Sequence, residues 1–352
     1  MAVAVSRRIA RAASPERAVA LWLIACCAMV FLMVVIGGIT RLTESGLSIT
    51  QWQPVSGVLP PLGEAQWQAA FARYQAIPQY RAVHAGMSLA AFKGIYFWEY
   101  LHRLWGRLIG FVFAAPFLYF LARRRVPARL APKLAGIFAL GALQGAVGWY
   151  MVASGLEDRI EVSQYRLALH LAMAVLIYAA MLWVALDLLS PSAWRGENGG
   201  LRRGATLVLL LAFVTLVAGS FVAGTRAGYL DNTFPLMEGR FVPPGYWHEA
   251  PWWRNFFENL VAVQFDHRVL AETTFAAILV LWLASLRAAL APPLRLAMHL
   301  LLGMALIQVG LGIATLLLVV PLPVAVLHQA GALGVITLAL VVRHGLGRAA
   351  RV

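Results

Sequence analysis

The sequence predicts an all-α integral membrane protein whose eight transmembrane helices form two pseudo-symmetric four-helix bundles. Three observations predict this fold class. Hydrophobic residues make up 61% of the 352 residues and charged residues only 12%, whereas a soluble domain carries about 25% charged residues. Eight apolar runs approach or exceed the roughly 20 residues that a membrane-spanning helix needs. Motifs of the first half recur in the second, which indicates an internal duplication.

The predicted spans follow these apolar runs in order. The first is interpreted as a retained helix and not a signal peptide, because it is long enough to cross the bilayer and lacks a clear small-residue cleavage site. No other segment is long enough for a separate soluble domain, so the chain is divided into the halves 1–190 and 191–352. The spans lie near 18–39, 99–122, 133–153, 167–189, 205–225, 264–287, 294–318 and 323–343.

Basic residues cluster at the N-terminus, in the second and fourth links and at the C-terminus. Because such links stay in the cytoplasm, both termini are predicted to be cytoplasmic. The net charge of +14 therefore reflects topology, and no nucleic-acid partner is expected. These residues are Arg7, Arg8, Arg11, Arg17, Arg123, Arg124, Arg125, Arg129, Lys133, Arg195, Arg202, Arg203, Arg343, Arg348 and Arg351.

Two outer links, 40–98 and 226–263, are long and aromatic. In the first, Trp67, Phe71 and Tyr74 recur at helical spacing, which predicts a helix lying on the membrane interface. The second contains several prolines and three tryptophans, which are typical of an aromatic membrane belt. Both links are predicted to contact membrane lipid, and their length also allows a lid over the outer ends of the helices.

Four histidines occupy matching positions in the two halves. His102 and His267 each precede an arginine and are 165 residues apart, and His170 and His328 are 158 apart. The even-numbered spans all enter from the outer face, so the four side chains are predicted to share one layer near the outer leaflet. Metal-binding side chains at membrane depth are costly and usually functional. The pattern therefore predicts two pairs of axial ligands for two haems.

We predict that the ligands pair within each half, His102 with His170 and His267 with His328, although pairing across the halves is an alternative. The other histidines are His84, His248, His299 and His344; they lack a counterpart and are interpreted as hydrogen-bonding residues. No Cys-x-x-Cys-His motif occurs, which excludes covalent c-type haem. The only cysteines, Cys26 and Cys27, are adjacent in the first span, where helix geometry disfavours a disulfide between them.

A carboxylate distinguishes the two predicted haem sites. Glu99 precedes His102 by three residues and lies on the same helix face, whereas Gln264 occupies that position before His267. One site can therefore carry out proton chemistry, and the other is better suited to electron transfer. The alternative for Glu99 is a structural ion pair with Arg103 one turn later.

Arginines at the outer side are candidates for binding the haem propionates, because guanidinium groups bind carboxylates in a bidentate manner. The alternative is that they extend from helix ends towards lipid headgroups. The four best placed follow a histidine or end the first helix of a half, and they are Arg41, Arg103, Arg226 and Arg268.

Three stretches resemble the haem A synthase family of alphaproteobacteria and mitochondria. They are GGITRLTESGLSITQWQPVSGVLPP at 37–61, FWEYLHRLWGR at 97–107 and NTFPLMEGRFVPP at 232–244. The resemblance extends from about residue 18 to 345. It departs from some family members in one respect, because this chain has no cysteine pair in its outer loops.

The resemblance implies an enzyme of the bacterial inner membrane that oxidises the C8 methyl group of haem O to the formyl group of haem A, for cytochrome c oxidase. It implies that His102 and His170 bind haem O near the periplasmic side, with Glu99 as the adjacent acid, and that His267 and His328 bind a permanent haem b. Haem O synthase is the implied donor of the substrate. The electron acceptor is left unidentified, and a homo-oligomer is compatible with the sequence.

Two other functions fit an apolar helical protein with four histidines. A di-haem b-type carrier linked to quinol would also use paired histidines, but it requires haems at two depths to move electrons across the bilayer. A transporter would show broken helices and polar residues at the midplane, whereas the inner halves of these spans are apolar. Both alternatives are disfavoured by the sequence.

Overall fold

A computed structural model describes residues 15–53, 56–156, 159–189 and 198–347. Within these ranges the chain forms helices and connecting segments, with no β-strand and one isolated bridge between Met237 and Arg240. Several basic residues that entered the predicted topology lie outside the described residues. They are Arg7, Arg8, Arg11, Arg195, Arg348 and Arg351.

Eight of the described helices are long and apolar enough to cross a membrane, which confirms the predicted fold class. Two short helices, α2 and α3, lie between the first and second of them. The helices are α1 (Pro15–Leu42), α2 (Glu64–Gln75), α3 (Pro78–Val83), α4 (Leu89–Ala122), α5 (Ala131–Leu156), α6 (Gln164–Leu189), α7 (Gly199–Thr225), α8 (Leu260–Leu286), α9 (Pro292–Leu317) and α10 (Leu322–Gly345).

Helix α4 begins well before the apolar run that predicted it. Its N-terminus is capped by Ser88, whose Oγ accepts a hydrogen bond from the backbone N–H of Ala91 at 3.2 Å. Its first turns bury Phe92 completely. The predicted span near 99–122 placed His102 at the start of its helix, which is wrong, because protein packing extends the helix back to Leu89.

The helix predicted from Trp67, Phe71 and Tyr74 is α2, but these side chains do not form a lipid-facing surface. Phe71 and Tyr74 are buried, and their rings lie 5.0 and 5.3 Å from the ring of Phe92. The ring of Trp67 is 6.5 Å from the same phenylalanine. The outer link is therefore fastened to the outward extension of α4 by aromatic packing.

The order of neighbouring helices is the same in both halves. In the first half α1 and α5 each pack against α4 and α6, and in the second α7 and α9 each pack against α8 and α10. The halves meet where α6 packs against α7 and α1 against α10, and one apolar core continues across both. This arrangement is compatible with the predicted pair of pseudo-symmetric bundles.

Candidate functional site

Each of the four matched histidines packs against a glycine on the preceding membrane-spanning helix. A Cβ atom added to any of these glycines would lie between 2.9 and 3.1 Å from Cε1 of the ring. Glycine is therefore needed at each position for the ring to keep its place. The pairs are Gly37 with His102, Gly148 with His170, Gly219 with His267, and Gly312 with His328.

The rings of His267 and His328 lie with their centroids 6.4 Å apart and their planes at 87°. A metal bound between two imidazoles separates the ring centroids by about 6.4 Å, from a metal–nitrogen bond of roughly 2.1 Å and about 1.1 Å from nitrogen to centroid on each side. The second pair therefore has the spacing that axial ligation of one iron requires. In the first half, the rings of His102 and His170 are held against Gly37 and Gly148.

Two glutamines hold the histidines of α6 and α10. Gln144 Nε2 lies 3.1 Å from Nδ1 of His170 and donates to the backbone carbonyl of the same residue at 2.9 Å. Gln308 makes the same two contacts to His328, at 3.1 and 3.0 Å. Each glutamine precedes by four residues the glycine that supports the same ring, so both lie on one face of the helix.

The histidines of α4 and α8 differ in the partner of Nδ1. His267 Nδ1 lies 3.2 Å from the backbone carbonyl oxygen of Thr215. Nδ1 of His102 is buried and has no hydrogen-bond partner among the residues that the structure describes. A proton on Nδ1 of His267 leaves its Nε2 free to bind iron.

Glu99 is almost completely buried and accepts hydrogen bonds at both carboxylate oxygens. Its Oε2 accepts from the hydroxyl of Ser48 at 2.8 Å and the backbone N–H of Ile49 at 2.7 Å. Its Oε1 accepts from Arg103 at 2.5 Å. The ion pair expected as the structural alternative is therefore formed, and the carboxylate also fastens the segment after α1.

Gln264, at the equivalent position, makes one hydrogen bond where Glu99 accepts three. Its Nε2 donates to the backbone carbonyl of Asp231 at 2.9 Å, and its Oε1 is buried without a partner in the described part of the chain. The difference between Glu99 and Gln264 therefore changes charge and hydrogen bonding alike.

Two of the four candidate propionate-binding arginines bind the outer segments of their own halves. Each follows its histidine directly and donates to two backbone carbonyls of the segment after the first helix of the half. Arg103 donates to Ile49 at 2.7 Å and Gln51 at 3.0 Å, and Arg268 donates to Asp231 at 2.8 Å and Thr233 at 2.7 Å.

The other two candidates, Arg41 and Arg226, link the two halves, Arg226 through ion pairs and Arg41 through a hydrogen bond. Arg41 donates to Glu161 at 2.9 Å and to the backbone carbonyl of Ala223 at 2.8 Å. Arg226 pairs with Glu44 at 2.5 Å and also contacts Glu161. All four arginines therefore have protein partners, and their binding to propionates stays a prediction.

Buried side-chain atoms without a protein partner are concentrated around these residues. Nearly every buried polar atom in a native protein is hydrogen-bonded, so the concentration indicates a bound polar group or ordered water around the matched histidines. Within the described residues, the atoms include Nε of Arg41, Nδ1 of His102, Oε1 of Gln144, Oε1 of Gln264, Nε of Arg268 and Oε1 of Gln308.

The donor atoms at this layer suit haem better than a mononuclear metal site. Among the residues described, no three His, Cys, Asp or Glu side chains converge on one point. Cys26 and Cys27 are free thiols buried in α1. Histidines presented in pairs are the axial ligands that b-type haem uses, since the porphyrin supplies the remaining four donors.

Comparison with known proteins decides the family. Residues 20–340 match a family model described as "Cytochrome oxidase assembly protein". The chain belongs to this family.

Among its relatives, the haem A synthase of Nitrosospira multiformis is 54% identical over 95% of this chain and 94% of that protein. The haem A synthase of Nitrosomonas eutropha is 52% identical over 92% of each chain. That of Rhodospirillum centenum is 56% identical over 92% of this chain and 87% of its own. The predicted resemblance to the haem A synthase family is confirmed.

For this member of the family, sequence reasoning found the histidines but missed what supports them. Gln144 and Gln308 match between the halves, 164 residues apart, but the repeat alone assigns them no role. The sequence does contain a signal for a supporting role, because both halves have a glutamine four residues before a glycine, in QGAVG and QVGLG. The contact of Gly37 with His102 and that of Gly219 with His267 involve residues far apart in the chain, and no local pattern indicates them.

Proposed function

We propose that this protein is a haem A synthase, which oxidises the C8 methyl group of haem O to a formyl group. The observation that carries the proposal is identity of about one half to haem A synthases over more than nine-tenths of the chain. The product, haem A, would serve cytochrome c oxidase. A di-haem electron carrier is not favoured, because the compared relatives bear the synthase name.

We assign the substrate site to the first half, residues 1–190, and a resident haem b to the second, residues 191–352. His102 and His170 would hold haem O, and His267 and His328 would hold haem b. The 6.4 Å spacing of the second pair supports this assignment, as do the glycines behind all four rings. When bound, haem b would supply one-electron redox chemistry.

Conversion of a methyl to a formyl group removes electrons and protons and adds one oxygen atom. In this proposal Glu99 accepts a proton released beside the substrate. Arg103 fixes the position of this carboxylate, because its guanidinium pairs with it at 2.5 Å. Gln264 cannot accept a proton in this way, so the second half would only hold haem.

The candidate arginines would neutralise the haem propionates. Two of them have side-chain nitrogen atoms that donate to no described protein group. Arg41 and Arg268 each have a buried Nε without a protein partner in the described chain. Such donors favour a carboxylate. Arg103 and Arg226 would contribute positive charge from their ion-paired positions.

We further propose that both termini are cytoplasmic and that the haem sites lie near the periplasmic side of the inner membrane. An even number of membrane-spanning helices supports the common side of the termini. Haem O would be delivered by a haem O synthase, and electrons would pass to an acceptor that is not yet identified.

The function is tested by expressing the chain in a bacterium that makes haem O but lacks its own haem A synthase. Extracted haems are separated by chromatography. We expect haem A with the wild-type chain and none with His102→Ala. His299→Ala is the control, because His299 contacts Trp282 and is not one of the four matched histidines. This variant should still make haem A. If the purified protein contains haem B alone, it is an electron carrier. If it contains no haem, it is a transporter.

A further inference from the structure

The carbonyl that faces His267 belongs to a polar link between α7 and α8. The hydroxyl of Thr215 lies 2.8 Å from that of Thr274 and 3.2 Å from the backbone carbonyl of Leu270. Thr274 is buried. Two hydroxyls thus join the helices next to the histidine, and the Thr215 carbonyl oxygen lies 3.2 Å from Nδ1 of the ring.

The first half has no such link at the corresponding positions. Thr215 precedes the supporting glycine, Gly219, by four residues, and the residue four before Gly37 is Met33. Thr274 follows His267 by seven residues, and the residue seven after His102 is Ile109. Methionine and isoleucine cannot form the hydroxyl pair.

A bulkier contact joins α1 and α4 instead. The indole N–H of Trp105 donates to the backbone carbonyl of Met29 at 2.9 Å. Nδ1 of His102 has no partner in the described chain, whereas Nδ1 of His267 lies against the Thr215 carbonyl.

An imidazole bound to a metal through one nitrogen is normally held by a hydrogen bond at the other, and loss of that bond typically lowers metal affinity 10- to 100-fold. The ring of His267 has such a bond to a backbone carbonyl, and the ring of His102 does not. The two halves therefore differ in how firmly one of their two ligands is oriented.

We propose that the hydroxyl pair of Thr215 and Thr274 orients His267 and so makes the second site hold its haem more firmly than the first. The proposal rests on the proposed function, in which a substrate haem must enter and a product haem must leave while haem b stays. Thr215 and Thr274 are positioning residues, because they act through His267. Met33 and Ile109 form no such link, so His102 is less firmly oriented and can release the haem iron.

The test measures haem loss from the purified, haem-loaded protein to an excess of apomyoglobin, with the released haems identified by chromatography. Haem B reports the second site, and haem O or haem A reports the first. For the double variant Thr215→Val, Thr274→Val we expect haem B to leave roughly 10-fold faster or more. The midpoint potential and the electron paramagnetic resonance spectrum of haem b should shift, which a purely structural role would not cause.

Two controls accompany this variant. Thr215→Ser with Thr274→Ser keeps both hydroxyls and should hold haem B as the wild type does. Thr273→Val removes a hydroxyl that bonds only to Val269 of its own helix and should have no effect. If the double valine variant does not fold, Thr274→Val alone is measured in the same way.

The reciprocal variant, Met33→Thr with Ile109→Thr, introduces the link into the first half. We expect haem O and haem A to leave more slowly, so that haem A accumulates on the protein. Unchanged haem B loss from the valine variant, or unchanged release from the reciprocal one, would overturn the proposal. These rates do not depend on turnover, so a wild type that makes no haem A would refute the proposed function alone.

Discussion

Glu99 differs from Gln264 in what its side chain holds as well as in charge. The carboxylate receives three donors, from Arg103, Ser48 and Ile49. Charge-assisted hydrogen bonds of this kind are stronger than neutral ones, so the carboxylate is held firmly in place. The sequence predicts only the contact with Arg103, which is one helical turn away. Ser48 and Ile49 lie about fifty residues earlier, and only the folded chain brings them to the carboxylate.

We expect Glu99→Gln to retain haem binding while haem A formation falls roughly 100-fold or more, because general acid–base groups typically contribute that much. The new amide nitrogen would also face a donor, Arg103 or the pair of Ser48 and Ile49, in place of an accepting oxygen. Haem A is measured by chromatography of extracted haems, and haem b by its reduced-minus-oxidised spectrum.

Glu272→Gln is the matched control for Glu99→Gln, because Glu272 is exposed on α8. It should leave both measurements at the wild-type level. Normal haem A formation in the Glu99 variant would remove this residue from the reaction.

At the scale of single helices, α5 and α9 each present a glutamine and, one turn later, a glycine to a histidine of the next helix. Gly148→Ala tests this arrangement, because the added Cβ would lie 3.0 Å from Cε1 of His170. Alanine is favoured over glycine within a helix by about 1 kcal/mol, so α5 itself should not be weakened. We expect haem occupancy of the first site to fall and its bis-histidine absorption to weaken.

The same helix supplies the control for Gly148→Ala. A Cβ on Gly145 would meet no atom within 4 Å, so Gly145→Ala should bind haem normally. In α9, Gly312→Ala and Gly310→Ala form the same matched pair for the second site. Equal haem content in both members of a pair would show that the glycine does not position the ring.

The helices themselves were largely predictable, because a membrane-spanning helix is specified by the length and apolarity of a continuous run. The start of α4 was not predictable from hydropathy, because residues 89–98 are helical through packing of Phe92 against α2. Hydropathy indicates which residues contact lipid and does not report such contacts. The histidines were predictable from the duplication, whereas their glycine supports depend on the distance between separate helices.

At the scale of the whole molecule, a group of charged side chains joins the outer ends of the two halves. Glu161 lies between Arg41 and Arg226, and Glu44 pairs with Arg226. These side chains are only partly exposed. We expect Glu161→Gln to lower the free energy of unfolding by about 1–3 kcal/mol, since it removes the ion-pair partner of Arg41 and one of the two partners of Arg226. The measurement is thermal unfolding in detergent, followed by circular dichroism.

A more exposed ion pair provides the comparison for Glu161→Gln. Glu64 lies 3.8 Å from Lys93, and its side chain is 68% exposed. Exposed pairs contribute little to stability, so Glu64→Gln should unfold at the wild-type temperature. Identical unfolding of both variants would mean that the charged group does not hold the halves together.

The proposed topology is tested by labelling single cysteines in intact cells with a maleimide that does not cross membranes. Trp247→Cys lies in the exposed outer segment and should be labelled directly. Arg125→Cys lies between α4 and α5 and should be labelled only after the cells are permeabilised. Cys26 and Cys27 are buried and should contribute little background. The opposite pattern would invert the proposed orientation.

The ion pair between Glu44 and Arg226 bears on how the two halves recognise each other. Both residues follow the first membrane-spanning helix of a half closely, and both have a positive φ, 55° and 60° respectively. Two copies of the first half joined along the same surface would bring glutamate against glutamate, and two copies of the second would bring arginine against arginine. Co-expressed as separate polypeptides, the halves should therefore assemble as a mixed pair, so this contact favours one N-terminal and one C-terminal bundle over either homodimer.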